Sequence, residues 1–169
     1  MAINSYSTLQ TAVANWLDRD DLSDRIPEFI ALNEAVFNRV LRLRAMENIT
    51  TSATVSGTKS YDLPTGYVQM REIHLDTSPI TSVQYYVMTY YKKFDSLSDS
   101  TTTNWIILNA PDVYLYGTLL QAEPFLMNDQ RIPIWERGLR QAIADLQEQD
   151  DKDRHSGSEL RVMNTSGYY

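Results

Sequence analysis

The chain has 169 residues, 43% of them apolar, which is enough for one sizeable core and too many for a globally disordered polymer. It has no cysteine, which excludes a disulfide framework, a thiolate metal site and a cysteine nucleophile, and which fits folding in a reducing compartment. A formal charge of −7 repels nucleic acid unless the basic groups are segregated, an argument against a sequence-reading DNA-binding protein but not against one that surrounds DNA.

The start, Met1-Ala2-Ile3-Asn4-Ser5, has neither a basic n-region nor an apolar h-region, so no signal peptide is expected. No apolar run is long enough to span a bilayer. Residues 7–18 then predict a helix, because Leu9, Ala12, Val13, Trp16 and Leu17 recur with helical spacing. Ser7 and Gln10 have the spacing of a capping box, and Asp18-Arg19-Asp20-Asp21 ends the pattern. A second helix is expected over 24–45, with Asp24 as its cap and Pro27 in its first turn, where a missing N–H costs nothing. Ile26, Phe29, Ile30, Val36, Phe37, Val40, Leu41 and Leu43 form its apolar face; Arg39 and Arg42 lie opposite, and Arg42 and Arg44 suit the negative end of the helix dipole.

After Glu47 the composition shifts to Thr, Val, Ile and Tyr. Ser56-Gly57-Thr58 reads as a turn between strands at 49–55 and 59–63, and Leu63-Pro64-Thr65-Gly66 as a second turn. Strands are expected at 67–75 and 83–94, separated by Asp76-Thr77-Ser78-Pro79, and a polar loop over 95–104. The eleven tyrosines either pack these strands or prepare a protein interface, since the side chain joins an apolar ring to a polar tip.

Helix returns over 111–127, with Asn109 as a possible cap and Pro124 as a kink or stop. This segment is apolar on nearly every side, as in a helix sandwiched between neighbours, and Gly117 permits close backbone packing. A last helix is expected over 133–151, with Trp135, Leu139, Ala142, Ile143 and Leu146 facing inward and Glu136 and Arg140 paired one turn apart. The pattern dissolves from Asp153. The expectation is an α+β fold, mainly α: one domain over 1–152, in which a β insertion at about 49–94 interrupts an amphipathic helix bundle, followed by an extended C-terminal arm at 153–169.

Chemistry is sparse. His74 falls in a strand and His155 in the acidic tail, and neither is placed beside a nucleophile and an orienting acid. Carboxylates cluster at Asp18, Asp20, Asp21 and Asp24 and again at Glu148, Asp150, Asp151 and Asp153, but the first group lacks the glycine and terminal glutamate of an EF-hand and the second resembles a solvated helix end. No P-loop, dinucleotide fingerprint, HExxH or GxSxG occurs. No catalytic, cofactor-binding or metal residue is therefore assigned. Arg39 and Arg42 either face a DNA channel or a neighbouring subunit, or simply solvate the helix. Leu160, Val162, Met163, Tyr168 and Tyr169 lie beyond the last amphipathic helix, where a monomer has difficulty burying them. They belong either to an unstructured end or to an arm that orders on another protein.

The segment from Thr54 to Leu75, with Gly57, Tyr61, Leu63-Pro64 and Gly66-Tyr67, resembles the head-to-tail adaptor proteins of tailed bacteriophages, in which a hairpin of the type T-x-x-G-x-x-x-Y-x-L-P follows two amphipathic helices. Tyr90-Tyr91-Lys92-Lys93-Phe94, Asn104-Trp105 through Pro124, and Ala144 through Asp151 are similar to the same family, so the resemblance spans about residues 5–162. It implies a structural virion protein rather than an enzyme. It also implies a cyclic homo-oligomer, commonly twelvefold, docked beneath the portal protein at the capsid vertex, with a tail or nozzle protein on its other side and genomic DNA passing through the lumen. No cofactor and no membrane is implied, and assembly takes place in the host cytoplasm. The family's C-terminal arm touches the portal, which maps onto Glu159–Tyr169 and so onto Leu160, Arg161, Val162, Met163, Tyr168 and Tyr169. The chain departs from the family in the short connection Asp76–Ile80, where adaptors usually carry a longer β region. The competing readings are a small virion-associated cell-wall hydrolase, motivated only by the carboxylates, and a DNA-packaging or DNA-binding factor.

Overall fold

A computed structural model describes residues 2–19, 21–76, 84–127 and 130–155. The element order is α1 (Tyr6–Leu17), α2 (Ile26–Val40), a 3-10 turn (Arg44–Met46), β1 (Glu47–Ala53), β2 (Tyr67–Asp76), β3 (Tyr85–Lys92), α3 (Trp105–Asn109), α4 (Pro111–Leu126) and α5 (Ile132–His155). The fold is α+β and mainly α, with the sheet inserted between the N-terminal and C-terminal helices.

The helices form where the periodicity places them, but their ends are set by local hydrogen bonds that differ from those expected. At α1 the capping box is Ser5 with Thr8 rather than Ser7 with Gln10: the Ser5 hydroxyl accepts from the Thr8 N–H, and the Thr8 hydroxyl accepts from the Ser5 N–H at 2.9 Å. The helix ends as Asp18 turns left-handed, which its short polar side chain tolerates. At α2 Asp24 caps nothing; Arg25 occupies the cap position without a side-chain bond, and Pro27 sits in the first turn as expected.

The second helix stops at Val40 instead of running to 45. Leu41 and Leu43 are both fully buried, and two core residues at i and i+2 require extended chain rather than helix. Arg42, between them, closes the helix end: one guanidinium nitrogen donates to the carbonyls of Asn38 and Leu41. It acts as a cap just past the helix rather than as a free cation on its outer side.

The expected hairpin of 49–55 with 59–63 does not form. Gly57 does turn the chain, at φ +85°, but 59–63 is not a strand, and β1 pairs with β3 instead. The sheet is antiparallel with order β1-β3-β2, Ile49 facing Thr89 and Ile73 facing Met88. Two bulges interrupt β2, between Tyr67 and Gln69 and between Met70 and Glu72.

Asn109 does not cap α4; it turns back to the Trp105 carbonyl, while Asn104 caps the short α3, which the sequence pattern did not reveal. Pro124 lies inside α4, which ends two residues later with Met127 left-handed. The apolar character of α4 is accounted for by its place: it packs against α1, α2, α3 and α5. At Gly117 a Cβ would lie 2.2 Å from the Asn33 side chain, so only glycine allows α2 this close. The final helix runs to His155 and so takes in the first three residues assigned to the arm; 156–169 lie outside the described residues. Its Glu136–Arg140 pair forms at 3.3 Å. No helix among the described residues is long and apolar enough to cross a membrane.

Candidate assembly surfaces

The core is built by the helices. Leu9 and Val13 of α1, Ile26, Phe29, Ile30 and Phe37 of α2, Val113, Tyr114 and Leu119 of α4, and Trp135 and Leu146 of α5 form one buried cluster, which also takes in Leu41, Leu43 and Met46. Within it lies a polar network. Glu34 is buried, and one of its carboxylate oxygens accepts from the Leu97 N–H at 2.8 Å and from the Tyr114 hydroxyl at 3.0 Å. Asn104 donates to Tyr114 Oη at 2.6 Å and to the Asp95 carbonyl at 2.9 Å, so the polar loop 95–104 is held to the bundle at both ends. Asn33 donates to the Tyr114 carbonyl at 3.3 Å. Burial raises the Tyr114 phenol above its ordinary pKa of 10.0, and the neighbouring Glu34 carboxylate adds to the rise.

Two ends of the bundle can be told apart. At one, α1 finishes, α2 begins, α4 finishes and α5 begins. Arg131 donates to the Trp16 carbonyl at 2.7 Å and its guanidinium lies 5.0 Å over the Trp135 ring, while Phe125 meets Phe29 at 6.1 Å between ring centres. Trp16, Phe125, Met127 and Ile134 are exposed there.

At the other end, α5 terminates against the base of the sheet in a charge cluster. Arg154 contacts Glu47 at 3.2 Å and Asp150 at 2.8 Å; Arg71 also pairs with Glu47, and the Arg44 N–H donates to Asp150 at 2.7 Å. The bulged position of Arg71 lets it reach across β3 to β1. Arg154, Glu47 and Asp150 are largely screened from solvent, whereas Arg71 is exposed, and their mutual pairing offsets part of the water the screened groups lose.

The sheet projects beyond this anchor. Tyr91 packs against the bundle, whereas Met88 and Tyr90 are buried outside the main core, beneath Tyr67, which stacks on Tyr90 at 5.9 Å, and near Tyr61, which meets Tyr86 at 5.3 Å. Around them Ile49, Met70, Ile73, Leu75 and Tyr85 remain exposed. Some of the tyrosines thus pack the strands, while Tyr61 and Tyr85 face outward.

A shallow groove of about 650 Å³ runs between the outer side of α2 and the start of β2, lined among others by Ala31, Ala35, Arg39, Tyr67, Lys93 and Leu97. Arg39 is exposed in it. Arg42 is not beside Arg39 as a second free cation; besides capping α2 it donates to Gln69 at 3.0 Å.

The carboxylate groups do not converge. Asp21 is held by Arg19 at 2.6 Å, and that bond lowers its pKa; Glu148 is lowered in the same way by Lys152. Asp150 is engaged in the charge cluster, Asp20 lies outside the described residues, and His74 stands 3.8 Å from Glu72 on an exposed strand. Among the described residues no three or more His, Cys, Asp or Glu side chains gather as a metal site would require.

With this arrangement in view, the comparison with known families is decisive. Residues 4–88 and 75–163 match the model of the SU10 adaptor protein family, together nearly the whole chain. The chain belongs to this family. No curated protein matches it. The SU10 adaptor assignment identifies a structural phage protein of the head-to-tail adaptor class. The two matched stretches overlap at 75–88, the region of the short connection after β2. In this adaptor the residues that organise the molecule are Glu34, Glu47, Asp150 and Arg154. Of these the sequence pattern marks only Asp150, and that as part of a solvated helix end. Asn33 and Glu34 carried a signal: they stand at helical spacing from Phe29, Ile30 and Phe37 on the inner face of α2, where polar residues need buried partners.

Proposed function

We propose that this adaptor assembles as a cyclic homo-oligomer, of about twelve subunits on the family's pattern, beneath the portal protein and joins the capsid vertex to a tail or nozzle protein, with genomic DNA passing through the lumen. The observation that carries the reading is the position of the exposed apolar side chains. One set, with Trp16, Phe125, Met127 and Ile134, lies at the helix turns; the other, with Ile49, Met70, Ile73, Leu75 and Tyr85, lies on the projecting sheet at the opposite end. A protein that links two assemblies needs two such surfaces facing apart, and exposed apolar groups of this kind mark sites of association.

The C-terminal arm is assigned to the portal. Leu160, Val162, Met163, Tyr168 and Tyr169 supply its apolar and aromatic contacts and Arg161 a cation, and many identical arms on one ring act together. The described part of α5 reaches His155, and the charge cluster around Arg154 holds its last turns at the base of the sheet. Arg39 is available for a channel or a neighbouring subunit, whereas Arg42 has its donors engaged at the end of α2.

The test is deletion of Glu159–Tyr169, followed by capture on immobilised portal rings. The expected result is a helical, cooperatively unfolding truncation that portal no longer retains. Undiminished retention would remove the arm from the interface.

A further inference from the structure

We infer that the groove on α2 receives helix α5 of a second copy of this chain, so that α2 and α5 are the two unlike faces of the ring contact. The inference rests on the cyclic-oligomer reading above and names the surfaces that such an oligomer uses.

Closed rotational symmetry of this order needs a head-to-tail contact between two different surfaces that point away from one another. Helices α2 and α5 meet this condition. Both pack on α4 and neither packs extensively on the other; α2 approaches α4 at Gly117 and α5 approaches it at Gly138, which lies against Tyr116. Their outward sides therefore face different directions.

The outward side of α2 is unusually apolar for a solvated helix. Ala31 and Ala35 are exposed one turn apart, where small side chains let another backbone come close, and Leu32 and Val40 are each more than half exposed. The groove beside them is edged by Arg39 and Lys93, whose side chains make no ion pair among the described residues. Glu34, which also lines the groove, has a carboxylate oxygen turned to the Leu97 N–H and the Tyr114 hydroxyl, so the two exposed cations are open to acids of a neighbour.

The outward side of α5 has the complementary character. Gln141, Ala144, Asp145 and Glu148 are exposed at helical spacing, and from Asp145 to Asp153 the helix carries five acids against one lysine. Asp150 is turned to the charge cluster, whereas Asp145, which accepts from Gln141, and Glu148, which bonds Lys152, are held by neighbours on their own helix and stay exposed. The small residue Ala144 sits at the middle of this stripe. Small residues on both helices set a close approach, and the opposed charges fix register and speed encounter more than they add affinity.

The absence of cysteine makes the contact testable by cross-linking. Ala35→Cys and Ala144→Cys are both at exposed positions. With a short bismaleimide and portal rings present, the double variant is expected to give a ladder of covalent multimers, and each single variant none beyond dimer. Arg39→Glu with Lys93→Glu is expected to weaken assembly about tenfold, and adding Asp145→Lys with Glu148→Lys to restore it. Rings visible by electron microscopy without a ladder and without charge-swap rescue would overturn these faces and leave the oligomer standing. Single subunits on the portal under all conditions would overturn both.

Discussion

Leu119 in α4 is fully buried, while Ile73 in β2 is 52% exposed, although both are large aliphatic residues in regular elements of one small protein. The difference holds for their surroundings. The middle of the bundle is closed over: α4 is packed by α1, α2, α3 and α5, with close approaches at Gly117 against Asn33 and at Tyr116 against Gly138. The sheet has three strands, two of them edges, and a small buried patch around Met88 and Tyr90. The sheet buries little apolar surface of its own, and it leans on the bundle through Tyr91. The bundle is what folds; the sheet is what it carries.

The contrast predicts a steep gradient of mutational cost. Trp135→Ala, a fully buried core position near the start of α5, is expected to lose about 3–5 kcal/mol in chemical denaturation, enough to unfold a marginal domain. Loss of the Glu34 carboxylate comes next. Glu34→Ala orphans the Leu97 N–H and the Tyr114 hydroxyl, at about 1–3 kcal/mol for each buried group, and amide exchange at Leu97 is expected to accelerate as the 95–104 loop loosens.

Tyr114→Phe is smaller at neutral pH, about 1 kcal/mol for each of its two lost hydrogen bonds, to Glu34 and from Asn104, but it changes the alkaline limb. The folded state holds the phenol above its ordinary pKa of 10.0, by burial first and Glu34 second. Its contribution is therefore complete below about pH 10 and declines as pH rises beyond it, because the unfolded chain ionises first. A thermal melt series across alkaline pH should show that decline flattened in the phenylalanine variant. Smallest of all, Ile73→Ser with Leu75→Ser on the sheet should shift stability by only about 0.5 kcal/mol and yet reduce capture by the assembly that seats on the sheet, read by pull-down with portal rings and with tail proteins in parallel. A large loss of stability there would make the sheet part of the folding unit and erase the contrast.

How much of this was legible beforehand follows the same division. The bundle helices announce themselves by period, since a buried stripe must recur every turn. Their ends do not, because Ser5, Arg42 and Asn104 act through single hydrogen bonds whose partners depend on the folded chain. The strands at 67–75 and 83–94 were readable, but their pairing was not. A genuine turn at Gly57 suggested a local hairpin, whereas β1 finds its partner in β3, more than thirty residues away. Arg42 looked free because the helix was drawn through it. The charge cluster at the end of α5 was invisible for a related reason: Glu47, Arg71, Asp150 and Arg154 come from three distant elements, and only the fold brings them together.

Helix α5 touches both worlds. Near its start, Trp135 lies under Arg131 beside Trp16; near its finish, Arg154 grips Glu47 at the root of the sheet. Its 24 residues form an unbroken rod of about 36 Å. If the two ends dock as proposed, that rod acts as a ruler, because the spacing between what seats on the helix turns and what seats on the strands is written in its number of turns. Removing one turn would draw the two docking levels together by about 5.4 Å and swing one around the other, a mismatch that repeats in every subunit.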